Sequence, residues 1–313
     1  MKICIMGAGA LGSTMAGALA RGGAEVWLIG RNLAHIEAIN AQGLEMVEDG
    51  ASSFVPVRAS GRAAGIGTAD LVIILVKSFD TRNAIEAALP LLGPETLVLS
   101  LQNGLGHEEI LAGVAGRGQV LGGKTYVGGV LLGPGRVRAG IAGKETVIGE
   151  LDGSVSPRVQ AVAAALNAGG LLTQISPNIM GTMWDKLLVN VAGGALTAIT
   201  HLTYGGLYSL PELEETALAA IGEAMNVAAA HGVELITTDP RQAWDKARTG
   251  LPPEFKTSML QSLETGQKTE IDFIHGAVLR WGRAIGIPTP VNATLVACVK
   301  GIEYAATDYP GKA

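Results

Sequence analysis

The chain has 313 residues, of which 48% are hydrophobic and 16% charged. That is too long for one typical core and too apolar for a disordered chain, and it suits two domains of about 150 residues each. A net charge of −5, a pI near 5.6 and the lack of any basic run exclude a nucleic-acid footprint, and apolar runs no longer than the six residues at 71–76 exclude a membrane span.

The first half alternates short apolar strands with helices. Strands are expected at 2–6 and 25–29, with a helix over 10–21 between them and another over 32–41. A Gly- and Ser-rich stretch with alternating residues, 43–58, reads as a hairpin or edge strands. The run LVIILV at 71–76 is continuously apolar, as a central parallel strand must be when both of its faces are covered. A helix at 80–89, a strand at 96–100 and a short helix from Gly106 follow. The segments 119–132, 136–141 and 145–149 carry β-branched residues with Gly and Pro punctuation and read as antiparallel strands. This alternation predicts an α/β fold with an N-terminal doubly wound Rossmann domain.

Beyond Ser154 the period becomes helical. Helices are expected at 156–168, 178–195, 211–231, 240–248, 255–265, 269–286 and 291–307. Pro157, Pro211 and Pro240 stand at first-turn positions, and Gly232 and Gly286 just after helix ends. The second domain is thus expected to be all-α. Gly169, Gly170 and Pro177 mark the join, giving domains 1–170 and 171–313. The apolar helices of the second domain fit either a core or a homodimer interface. Cys4 and Cys298 lie in apolar segments without metal-ligand spacing, and are read as buried reduced thiols of a cytoplasmic protein with no metal site.

The first strand runs into GAGALG and then a helix. Residues 1–20 also have the outline of a secretory leader, but the glycines fall at nucleotide-loop spacing and no domain starts cleanly after Ala20. Gly7 allows a tight turn, Gly9 lets the backbone approach a diphosphate, and Gly12 permits close helix–strand packing. The loop Gly7, Ala8, Gly9, Ala10, Leu11 and Gly12 is therefore expected to bind a dinucleotide at the helix N-terminus. At the end of the second strand the sequence reads Ile29, Gly30, Arg31, with no Asp or Glu to accept from a ribose 2′-hydroxyl. Arg31 suits a 2′-phosphate, which favours NADP(H); the alternative is a solvated surface charge.

In the segment 183–199, Lys186 and Asn190 are four residues apart and share one face of the predicted helix. An ammonium and an amide on an apolar helix suit a carbonyl substrate, although a surface lysine snorkelling past apolar neighbours has the same pattern.

From residue 1 to about 305 the chain resembles the ketopantoate reductase (2-dehydropantoate 2-reductase) family. The resemblance is carried by GAGALG at 7–12, Arg31, VKSFDT at 76–81, QNGLG at 102–106, WDKLLVN at 184–190, TSMLQ at 257–261, TEIDFIHG at 269–276 and GIPTPVN at 286–292. It implies that Lys186 is the catalytic lysine and that Glu270 is the essential glutamate, binding a substrate hydroxyl. It implies substrate contacts from Asn190 and Ser258, the latter toward the carboxylate end. Asn103 and Lys77 match residues between nicotinamide and substrate. The activity implied is NADPH-dependent reduction of a 2-oxo acid, foremost ketopantoate to pantoate in pantothenate biosynthesis.

Four positions depart from the family pattern. Gly194 and Tyr204 replace asparagines, Phe255 replaces a polar residue, and His275 replaces the asparagine of the usual IDYING. A pocket without amide partners binds a buried hydroxyl poorly, since an unpaired polar group costs roughly 1–3 kcal/mol. Reduction of a more apolar 2-oxo acid is therefore the second reading, and NADPH sensing without turnover a third. His275 is read either as a structural residue or as a pocket group.

Overall fold

A computed structural model describes residues 1–307, which divide into two compact units. Residues 1–102 with 107–179 form the first; residues 103–106 with those from 180 onward form the second.

The first unit is built on an eight-stranded sheet. Its strands are β1 (Lys2–Met6), β2 (Glu25–Ile29), β5 (Arg58–Ser60), β6 (Leu71–Ile74), β7 (Leu97–Ser100), β8 (Val120–Thr125), β11 (Glu145–Glu150) and β12 (Leu172–Ile175). They lie in the order β12-β11-β8-β7-β6-β1-β2-β5, parallel throughout except that β11 runs antiparallel to β8. Alternate residues of β1 and β6 enter opposite cores: Ile3, Ile5, Leu71 and Ile73 on one face, Cys4, Met6, Val72 and Ile74 on the other. With both faces covered, neither strand needs a polar residue, which is why LVIILV shows no alternation.

One face is covered by α1 (Ala10–Arg21), α2 (Leu33–Gln42) and α5 (Pro157–Ala168), the other by α3 (Thr81–Ala87) and α4 (His107–Ala115). This is the doubly wound arrangement the alternation predicts. The hairpin expected at 43–58 exists as β3 (Leu44–Glu48) and β4 (Ala51–Val55). It joins β9 (Gly128–Gly133) and β10 (Arg136–Gly140) in a second sheet, β4-β3-β10-β9, packed on the far side of α1. Gly17 of α1 faces Met46 so closely that a Cβ there would overlap its sulfur.

The second unit is helical: α6 (Ile179–Thr200), α7 (Tyr204–Leu207), α8 (Pro211–Ala230), α9 (Pro240–Arg248), α10 (Ser258–Glu264), α11 (His275–Ala284) and α12 (Pro290–Thr307). Trp184, Leu187, Leu188, Val191, Ala192 and Ala195 bury α6 on nearly every side, as in a helix at the centre of a bundle. Pro157, Pro211 and Pro240 each begin their helix, and Gly232 and Gly286 follow α8 and α11 at φ +70° and +73°.

Three expectations change. The boundary at 170/171 moves to 179/180 because β12 pairs with β11 and completes the first sheet, and the unit is discontinuous because 103–106 join the helical part. The strands from 119 to 149 are not uniformly antiparallel, since β8 runs parallel to β7. Cys4 is buried as expected, but Cys298 is exposed: α12 turns Leu295, Val296 and Val299 inward and leaves Cys298 on its outer face. No helix of the described residues is long and apolar enough to cross a membrane.

Candidate functional site

In the first unit the loop between β1 and α1 is shaped by its glycines. Gly7 adopts φ +126°, and a Cβ there would lie 2.6 Å from the Leu75 carbonyl oxygen. A Cβ on Gly12 would overlap the Gly7 carbonyl oxygen, and one on Gly30 would overlap the Ala8 methyl. Gly9 differs: no atom lies within 4 Å of its Cβ position, and it begins α1 without a side-chain cap. Ala10 and Leu11 open the helix beside it. The loop is thus packed tightly beneath and open above Gly9, a cradle fitted to a diphosphate at the positive end of the helix.

Arg31, just past β2, is 89% exposed, and its Nη2 donates to Asp80 Oδ2 at 2.9 Å. Lys77 is exposed and extended (φ −60°, ψ 144°), at the start of a 3₁₀ turn over Ser78–Asp80. Beneath this turn Gln102 is buried. Its Nε2 donates to the Val76 carbonyl at 2.8 Å and to Thr81 Oγ1 at 3.0 Å, and its Oε1 accepts from Ser100 Oγ at 3.0 Å. Gln102 therefore ties the ends of β6 and β7 together. It belongs to the QNGLG motif, but sequence reasoning passed over it in favour of its neighbour Asn103.

In the second unit Asn103 opens the loop 103–106. Gly104 has φ +96°, and a Cβ on it would overlap the Phe273 carbonyl oxygen. The same oxygen accepts from the Leu105 N–H at 2.9 Å. Phe273 closes the short 3₁₀ turn that Glu270 begins, with the Phe273 N–H donating to the Glu270 carbonyl at 2.9 Å. The loop carrying Asn103 is thus pinned to the turn carrying Glu270, although 167 residues separate the two.

Lys186 and Asn190 lie one turn apart on α6, as the spacing predicts. Lys186 is only 9% exposed, which sets aside the snorkelling alternative. Beside it Asp185 is buried and accepts from the backbone N–H groups of Ile236 (3.0 Å) and Thr237 (2.9 Å), fixing the helix's rotation against that loop. The Asn190 amide nitrogen is buried and donates to nothing among the described residues. A buried donor without an acceptor costs roughly 1–3 kcal/mol, so a ligand oxygen there recovers that cost. Ser258, the first residue of α10, is exposed, and the α10 cap Thr257 bonds Thr197 of α6 at 2.7 Å.

The departures from the family pattern have a physical setting. One turn beyond Asn190, Gly194 packs against the Met259 methyl, and Gly193 faces the Tyr204 ring. Tyr204 is buried, with its ring 4.9 Å from that of Phe255 and 5.5 Å from that of Tyr208. Loss of hydration pushes its hydroxyl up to about 12, so it stays neutral. Tyr204, Phe255 and Tyr208 thus form an aromatic wall beside Gly193.

His275 is fully buried. Its Nδ1 lies 2.8 Å from Asn292 Oδ1, and Asn292 Nδ2 donates to the Ala220 carbonyl and to Glu223. Glu223 also accepts from the Val291 and Asn292 N–H groups, capping α12. Through Nδ1 the ring is tied into this network, while its Nε2 is buried and has no partner among the described residues. Burial pushes the His275 ring down to about 4, with Asn292 opposing. The unfolded chain titrates near 6.5, so below that pH it takes up a proton the native state refuses, and stability falls between about pH 6.5 and 4. His275→Asn is expected to remove about 2 kcal/mol of the stability loss between pH 7 and 5. Urea midpoints at the two pH values test it; the same pH slope in both proteins would clear His275 of the effect.

A family model for ketopantoate reductase PanE/ApbA matches residues 3–153, and one for the ketopantoate reductase PanE/ApbA C terminal matches 178–303. The chain is 35% identical over 304 residues to the 2-dehydropantoate 2-reductase of Halobacterium salinarum, spanning 96% of this chain and 98% of the relative. Among solved structures it is similar to a PanE/ApbA-family ketopantoate reductase from Ralstonia eutropha (38% identity, TM-score 0.88, 98% of this chain and 99% of that one). It is also similar to D-mandelate dehydrogenase in a ternary structure with NADH and anilino(oxo)acetate (26% identity, TM-score 0.88, 98% and 99%).

Proposed function

The chain belongs to the ketopantoate reductase family of oxidoreductases, and on that premise we propose that it reduces 2-dehydropantoate to pantoate with NADPH. The bound nicotinamide supplies a hydride to the C2 carbonyl carbon. Everything else falls to the protein. The Gly7–Gly12 cradle holds the diphosphate and Arg31 pairs with the 2′-phosphate. The family resemblance assigns Lys77 of the first unit and Asn103 of the second each to a contact with cofactor or substrate. Lys186 gives a proton to the oxygen on C2 as negative charge gathers there. Asn190 donates to a substrate oxygen, Ser258 holds the carboxylate, and Glu270 accepts from the substrate hydroxyl. The observation that carries this reading is the buried, acceptor-less amide of Asn190 one turn from a buried lysine. It supports a ligand oxygen on that face of α6, where polarisation by an ammonium in a poorly hydrated site is most effective.

A second reading keeps this chemistry and exchanges the substrate for an apolar 2-oxo acid. The Tyr204–Phe255 wall and Gly194 favour it, and one similar structure is a mandelate dehydrogenase. A panel of 2-oxo acids assayed by NADPH oxidation decides between the two. Highest kcat/KM for 2-dehydropantoate is expected. A tenfold preference for an aromatic or branched apolar acid would install the second reading, and no turnover with any acid would overturn both.

A further inference from the structure

Arg31 is not an idle cation. Its guanidinium is 89% exposed, but the carboxylate that meets it, Asp80, is only 21% exposed and is set by the local fold. Asp80 comes from a different crossover. It follows β6, ends the turn over Ser78–Asp80 with its N–H bonded to the Lys77 carbonyl, and immediately precedes α3. Aspartate at such a position commonly accepts from the first N–H groups of the helix. Here the Asp80 side chain makes no capping bond, and its carboxylate reaches Arg31 instead. The acid absent from the end of β2 is thereby supplied through space, from 49 residues further along the chain.

A carboxylate on Arg31 affects a 2′-phosphate in two ways: it occupies a donor edge that the phosphate needs, and it adds like charge. Neither matters to a 2′-hydroxyl, for which a carboxylate is the ordinary acceptor. Because an exposed ion pair is weak, Asp80 tunes binding and does not block it.

We propose that Asp80 is a second determinant of cofactor choice, competing with the 2′-phosphate for Arg31 and narrowing the preference for the phosphorylated cofactor. This rests on the assignment of Arg31 to that phosphate. Calorimetric titration of the full chain with NADP⁺ and with NAD⁺, without substrate, reads affinity and not turnover. Asp80→Asn is expected to raise the ratio of NADP⁺ to NAD⁺ affinity by about two- to fivefold. In an Arg31→Ala background the same substitution is expected to leave the ratio unchanged. An unchanged or lowered ratio for Asp80→Asn, with Arg31→Ala still losing NADP⁺ selectively, overturns the proposal. Equal loss of both cofactors in Arg31→Ala overturns the Arg31 assignment instead. Asp80→Ser repeats the measurement should Asp80→Asn melt early.

Discussion

Lys186→Ala is expected to slow turnover by roughly 10²–10⁴-fold, the range typical of removing a positioned proton donor. That corresponds to about 3–5 kcal/mol of barrier. The size follows from where the ammonium stands. It is 9% exposed on a helix otherwise buried in apolar contacts, so water cannot readily replace it as donor to the substrate oxygen. On the proposed role, in which the lysine meets the substrate only as charge develops, affinity for NADPH is expected to stay within about twofold. Lys186→Arg is expected to keep electrostatic help but to transfer a proton poorly, giving intermediate turnover. Single-turnover rates with saturating NADPH and substrate measure the chemical step directly. Wild-type rates from Lys186→Ala would remove the lysine from the chemistry.

The glycine loop gives the second large effect, as a contrast between two positions. Gly12→Ala is expected to destabilise the first unit by about 1–3 kcal/mol, because its methyl collides with the Gly7 carbonyl and backbone must move. Gly9→Ala should cost no stability: its backbone (φ −82°, ψ −171°) suits any residue, and the methyl enters space no protein atom fills. Its cost is expected in binding, about ten- to a hundredfold in NADPH affinity or roughly 1.4–2.8 kcal/mol, if the diphosphate passes over residue 9. Urea melts and NADPH fluorescence titrations separate the two. Unaltered NADPH affinity in Gly9→Ala would mean that no ligand approaches the backbone there.

Local signals in the sequence carried the fold as far as local signals reach. GAGALG between an apolar strand and a helix specified β1, the turn and α1. Gly12 answers a demand from Gly7 five residues away, whereas the crowding of Gly7 comes from Leu75, just past the end of β6, and was not local. The continuous apolar run of β6 was legible as a central strand from its own residues, and β7 as a strand. β5 and β12 were not: they have three and four residues, lie at opposite edges of the sheet, and owe their conformation to β2 and β11. Gly169 and Gly170 look like a domain join, yet they turn the chain back so that Leu172–Ile175 can add to the first sheet. The site followed the same rule. The four-residue spacing of Lys186 and Asn190 placed them together, whereas Asp80 beside Arg31, Asn292 beside His275 and Phe273 beside Gly104 are long-range pairings that no periodicity encodes.

The loop 103–106 also bears on how such enzymes can be recombined. Substrate preference invites transplantation by exchanging C-terminal halves between relatives at residue 180. Such a chimera would bring in a new 270–273 turn while keeping the host's Gly104 and Leu105, whose fit to the Phe273 carbonyl is steric and directional. Four residues from the middle of the first half must travel with the graft, so the transferable cassette is two segments of chain and a single crossover cannot deliver it.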